Sequence, residues 1–85
     1  MNQSVLFNDD VRFFVEDASF RFSIQSGGGL ILCYLPLSVL ASIINLSDDP
    51  LQDFQQNVFL IEEAAETAID NEDFHDDGSL RFTRL

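Results

Sequence analysis

Between residues 19 and 25 apolar and polar side chains alternate, with Phe20, Phe22 and Ile24 interleaved among Ser19, Arg21, Ser23 and Gln25. A period of two predicts a half-buried strand with one wet face. The segment before it, residues 11–16, is rich in Val and Phe and reads as a second strand. A two-residue connection at Asp17-Ala18 would set Val15 opposite Phe20, Phe13 opposite Phe22 and Val11 opposite Ile24, all on one face. Farther upstream, Val5-Leu6-Phe7 is a short apolar segment stopped by Asn8-Asp9-Asp10, either an edge strand or a docked arm.

Ser26-Gly27-Gly28-Gly29 punctuates the chain next. A glycine loop that cradles phosphate must run straight into a helix N-terminus. Here an apolar strand follows, residues 30–35, so a hairpin loop is predicted. A four-residue loop puts Ile31, Cys33 and Leu35 on the face of Ile24, Phe22 and Phe20. This strand is apolar on both sides, as expected of one covered on both faces or placed centrally.

Beyond Pro36 the period changes from two to between three and four. Leu37, Leu40, Ala41 and Ile44 share a stripe of a short helix at residues 37–45. Leu51, Phe54, Val58, Ile61, Ala65 and Ala68 then share a stripe of one long helix over about residues 50–70. Its start is well punctuated. Asp49 can cap the free amides, Pro50 sits where a missing N–H costs nothing, and Gln52 is three residues past the cap. Residues 71–78 form a polar loop, and residues 79–85 a last strand with Leu80 and Phe82 inward and Arg81 and Thr83 outward. Strands and helices therefore segregate in β-β-β-α-α-β order. This predicts a single α+β domain, an antiparallel sheet of about four strands with two helices on one face.

Composition adds limits on function. Hydrophobic residues make up 46 % of the 85, enough for a core, and the formal net charge is −11 with four basic residues, all Arg. Such a charge disfavours nucleic acid backbones and anionic membranes unless the basic residues cluster. A single cysteine, Cys33, excludes an intramolecular disulfide and multi-cysteine metal sites. The first residues lack a basic region followed by an apolar run, and no apolar run is long enough to span a bilayer. A cytoplasmic setting without membrane contact is expected.

Candidate chemistry is sparse. Cys33 and His75 are the available nucleophile and base, but the strand register turns Cys33 into the core while His75 lies in an acidic loop. The loop at residues 70–77 resembles a calcium loop in places, yet Arg84 stands where a closing Glu is required. Glu62, Glu63, Glu66 and Asp70 crowd the polar face of the long helix, a solvated face or a docking surface for a basic partner. No catalytic, cofactor-binding or metal-binding residue is assigned, and no cofactor is expected.

The arginines are more informative. Arg12, Arg21 and Arg81 fall on strand positions facing away from the helices, and Phe14, Leu32 and Tyr34 share that face. Arg and Tyr anchor many protein interfaces. The same residue types occur on sheets that stack single-stranded RNA, and they also serve simply to neutralise nearby acids across strands.

The chain also resembles a known family. The residues that carry the resemblance are Leu30-Ile31-Leu32-Cys33-Tyr34-Leu35, then Asp53-Phe54 and Ile61-Glu62-Glu63-Ala64-Ala65-Glu66, then Asp77-Gly78 before a closing strand. They are similar to the pattern of the small bacterial domain-of-unknown-function family 1488 over most of the chain. The family often has a basic or histidine residue shortly after the Phe54 position, where Gln55-Gln56-Asn57 stands here. The resemblance implies a compact α+β fold in a bacterial cytoplasm and lends no activity. The expected function is that of a noncatalytic protein-binding or regulatory module, through a protein partner or self-association. The alternatives are nucleic-acid binding by the Arg/aromatic sheet face, or small-molecule binding near Cys33.

Overall fold

The structure, a computed structural model, describes residues 5–85. In chain order the strands are β1 (Val5–Phe7), β2 (Arg12–Phe14), β3 (Ser19–Ser26) and β4 (Gly29–Pro36). Three helices follow, α1 (Leu37–Ala41), α2 (Pro50–Gln56) and α3 (Val58–Asp70), and then β5 (Leu80–Arg81). The sheet runs β1-β3-β4-β5, with β2 also paired to β3. The α+β class is as expected. The sheet is mixed rather than wholly antiparallel, because β5 lies parallel to β4 and pairs only Leu80 with Cys33 and Arg81 with Tyr34. The residues after Arg81 leave the strand, but the inward set holds: Leu80 and Phe82 are buried.

The β3–β4 hairpin forms in the predicted register, Phe22 opposite Cys33, Phe20 opposite Leu35 and Ile24 opposite Ile31. The turn is tighter than expected, since Ser26 also pairs with Gly29. Gly27 and Gly28 alone turn the chain at φ +57° and +84°, values that glycine adopts without the clash a Cβ would bring. β4 is central only at its C-terminal end, where β5 joins it. Its outer face is uncovered, with Leu30 and Leu32 more than half exposed.

The β2–β3 register differs from expectation by two residues. Phe13 lies opposite Phe20, Arg12 opposite Arg21 and Phe14 opposite Ser19. The connection uses residues 15–18 instead of two, and Val15, expected inward, is 80 % exposed in it. This turn is held locally. The Ala18 N–H donates to the Val15 carbonyl, Ser19 Oγ donates to Asp17, and Ala18 at φ +50° accepts from the Leu37 N–H at the start of α1. A slip of two residues preserves every face, so Phe13 still points to the core.

β1 settles as an edge strand, with Phe7 opposite Ile24. Between β1 and β2, residues 8–11 make an excursion against only Phe22 and Ser23. The ladder bond this interrupts is replaced by a side chain. The Ser23 N–H donates to Asp10 Oδ1 at 2.9 Å and its hydroxyl to Asp10 Oδ2 at 2.6 Å, while the Asn8 N–H donates to the Ser23 carbonyl. Burial would raise the Asp10 pKa, but the Ser23 hydrogen bonds outweigh it, with help from Arg12, and hold the carboxyl below its ordinary value.

The long helix begins as predicted, with the Gln52 N–H donating to Asp49 Oδ1. It does not run straight to Asp70. Asn57 breaks it at φ −119°, ψ 20°, dividing α2 from α3. The side-chain amide of Asn57 donates to the Asp53 carbonyl at 2.8 Å, taking the acceptor that its backbone N–H would have used, and that N–H turns to Phe54. Leu51, in the first turn of α2, is exposed, while Phe54, Ile61 and Ala65 are buried and Val58 and Ala68 partly so. The first helix is also shorter than expected, ending at Ala41, with Leu40 buried and Ala41 exposed.

The core lies between the sheet and these helices. Phe54 meets Phe20 and Phe22 at ring-centroid distances of 5.1 and 5.2 Å, and Phe22 also stacks with Phe7 at 5.5 Å. Ile24, Cys33, Leu35, Leu40, Ile61, Ala65 and Leu80 complete it. The buried carboxylate of Asp53 accepts from the Ser47 N–H at 3.0 Å, which fastens the α1–α2 connection to the helix that fills the core.

Candidate functional site: the outer face of the sheet

β3 divides its side chains strictly. Phe20, Phe22 and Ile24 enter the core, and the odd-numbered residues face away from the helices together with their partners on neighbouring strands. The registers assemble this outer face into rows. One row crosses four strands: Arg12, Arg21, Tyr34 and Arg81 lie side by side. At about 4.8 Å per strand it spans roughly 14 Å. Phe14, Ser19 and Pro36 form the next row on one side. On the other side Ser23 pairs with Leu32, and beyond them Leu6, Gln25 and Leu30 make a further row.

The charged row is organised by its rings. The Arg21 guanidinium lies 4.0 Å from the Phe14 ring centroid and 5.5 Å from that of Tyr34, and Arg81 lies 4.6 Å from Tyr34. Cation–π attraction and the rings' flat surfaces hold these long side chains against the sheet. Each of the two arginines also donates to an acid four residues before it, Arg21 to Asp17 at 2.8 Å and Arg81 to Asp77 at 3.0 Å. Arg21 Nε is buried in this stack and has no hydrogen-bond acceptor among the described residues. Arg12 sits directly opposite Arg21, a like-charge pairing that costs stability and is eased by Asp17 and Asp10.

The acids are set by their hydroxyl neighbours. The Ser79 hydroxyl and N–H both donate to Asp77, and with Arg81 they lower its pKa to about 2. The Ser19 hydroxyl and then Arg21 lower that of Asp17 in the same way. The two arginines on either side of Tyr34 are therefore held in parallel constructions, a turn aspartate, a serine two residues on and an arginine two residues after that.

All six residues read from the sequence as an outer-face set, Arg12, Phe14, Arg21, Leu32, Tyr34 and Arg81, occupy that face. Leu6 and Leu30, 61 % and 63 % exposed, belong to it as well. Leu30 was legible from its spacing of two from Leu32. Leu6 required the pairing of β1, which its three residues do not specify.

The other candidates are kept apart. Cys33 is 1 % exposed, and burial, with a smaller contribution from Asp10, pushes its thiol up to about 12, far from a reactive thiolate. His75 is exposed in the loop, where its backbone bonds to Ser79 and Gly78 shape the turn before β5. Among the described residues no three His, Cys, Asp or Glu side chains group as metal ligands would. Among the described residues, clefts of about 1060, 530 and 210 Å³ indent the surface, and Cys33 lines none of these three. No helix among the described residues is long and apolar enough to cross a membrane.

Comparison with known proteins agrees with this architecture. No curated protein matches the chain. A solved structure does, the crystal structure of a protein of unknown function of the DUF1488 family from Shewanella loihica PV-4. It is 35 % identical, the match covers 99 % of this chain and 97 % of that one, and the TM-score is 0.84. The family model described as "Protein of unknown function (DUF1488)" matches residues 5–82. The chain belongs to the DUF1488 family.

Proposed function

We propose that this protein is a noncatalytic protein-binding module that holds a partner polypeptide on the outer face of its sheet. The observation that carries the reading is the transverse row of Arg12, Arg21, Tyr34 and Arg81, bordered by Phe14 on one side and by Leu32, Leu30 and Leu6 on the other. Three of the four basic residues of a chain with net charge −11 are gathered there beside exposed leucines, two of them, Arg21 and Arg81, held on aromatic rings. That combination suits a segment presenting both carboxylate and apolar side chains. Catalysis finds less support, since the one thiol is sealed in the core. Base stacking also finds less, because guanidinium groups already lie over Phe14 and Tyr34.

The test is capture from a bacterial lysate by the parent and by a variant carrying Arg12→Glu, Arg21→Glu and Arg81→Glu, followed by titration of each captured protein in purified form. A partner held by the parent and weakened at least about tenfold by the variant is the expected result. Equal binding by both would move the site to the acidic face of α3, and capture of nothing would remove the reading.

A further inference from the structure

The two long edges of this sheet are treated differently. On the β1–β2 side the edge is broken by the excursion at residues 8–11 and carries Asp9, Asp10 and Arg12. On the other side β5 reaches only Cys33 and Tyr34, so β4 has no strand neighbour at residues 29–32 among the described residues. Hydrogen bonding alternates along an antiparallel pair. The Phe82 N–H donates to the Tyr34 carbonyl on the β5 side, which sets the phase of that alternation. It aims the N–H and C=O of Leu30, and the N–H of Leu32, out of the open edge.

Natural edges are blunted by charge, proline or a bulge, because an open, flat, apolar edge is a template for another strand. This one has none of those devices at residues 29–32. Residues 22–47 contain no charged side chain at all, and Leu30 and Leu32 stand 63 % and 52 % exposed beside the edge. The backbone groups specify what fits there, an extended chain. The charge distribution specifies which. Two bodies of net charge −11 repel wherever their acids meet, and the β4 edge is where two copies approach with uncharged strands on both sides. A two-fold axis through Leu30 gives its N–H and C=O identical partners in the second copy and brings four exposed leucines together.

We infer that the open edge of β4 at residues 29–32 pairs antiparallel with the same edge of a second copy, joining two sheets into one across a two-fold dimer. This pairing uses backbone groups at the sheet edge and needs none of Arg12, Arg21, Tyr34 and Arg81, although Leu30 and Leu32 also border the outer-face row. The test is the sedimentation mass of the purified chain over a concentration series, with amide hydrogen exchange measured at each end of that series. The expected mass rises toward twice 9.6 kDa, and the Leu30 and Leu32 amides slow in the concentrated sample alone. The variant Leu30→Lys, at an exposed position, weakens association at least about tenfold while leaving the far-ultraviolet circular dichroism of the dilute chain unchanged.

A chain still monomeric at about 1 mM would overturn the inference. So would a dimer in which the Leu30 and Leu32 amides exchange as fast as in the monomer, since that is association through another surface. The exchange measurement uses the unaltered protein and decides the matter even if Leu30→Lys does not fold.

Discussion

Arg21 and Phe22 are neighbours in β3, yet their side chains leave the sheet into opposite environments. Phe22 is 5 % exposed and packs against Phe7, Phe54 and Phe82. Arg21 lies between Phe14 and Tyr34 and reaches out to Asp17. The inner face is held by removal of apolar surface from water, which salt does not screen and which is costly to interrupt. The outer face is held by charge, rings and hydroxyl bonds in contact with solvent, each worth little alone. The inner face thus provides stability, which leaves the outer face free to carry residues chosen for other purposes.

Three experiments would break or sharpen that contrast. The largest effect belongs to the inner face, where Phe54→Ala should cost roughly 3–5 kcal/mol in a denaturant melt. A loss under about 1 kcal/mol would mean that Phe20 and Phe22 find other cover and that the helices are not what seals the core. An intermediate effect is expected at the edge between the faces. Asp10→Ala leaves the nearly buried Ser23 without its acceptor and should cost about 1–2 kcal/mol. Faster exchange of the Ser23 amide should accompany it, and unchanged exchange would show that water replaces the carboxylate without loss.

The smallest effect belongs to the outer face. The folded pKa of Asp77 lies at about 2, below its ordinary 3.8. Its contribution is therefore present above about pH 4 and is lost as pH falls toward 2. Because the group is exposed, this should scarcely move global stability. The prediction is a titration midpoint near 2 by NMR that rises toward 3.8 in Ser79→Ala, since Ser79 is the chief cause of the shift. A midpoint already near 3.8 in the parent would mean that the turn before β5 does not hold its aspartate, and with it Arg81, in place.

Local rules carried much of the fold. Alternation in β3 and β4 set both faces of the central hairpin, and Asp49-Pro50 set the start of α2. The spacing of Phe54, Ile61 and Ala65 found the helix stripe that closes the core. These are period and capping signals, readable because each depends on residues within a few positions of one another. All six outer-face residues followed from the same parity, which even the two-residue error at Asp17-Ala18 could not disturb.

What lay beyond reach were choices made by partners distant in the chain. Nothing near Asn57 distinguishes a continuous helix from one whose side-chain amide takes the Asp53 carbonyl and breaks it. Two residues of β5 carry no sign that they will lie parallel to β4, a direction decided by where α3 delivers the chain. The register of β2 mattered most for the candidate site. The two-residue connection would have put Phe14 opposite Arg21 and Arg12 opposite Ser23. The four-residue turn, fastened to Leu37 through Ala18, instead sets Arg12, Arg21, Tyr34 and Arg81 in one row. The sequence by itself determined which side chains face out, because parity is local. Only the tertiary structure decided which of them stand together, because a row across strands depends on how far each turn lets its strands slide.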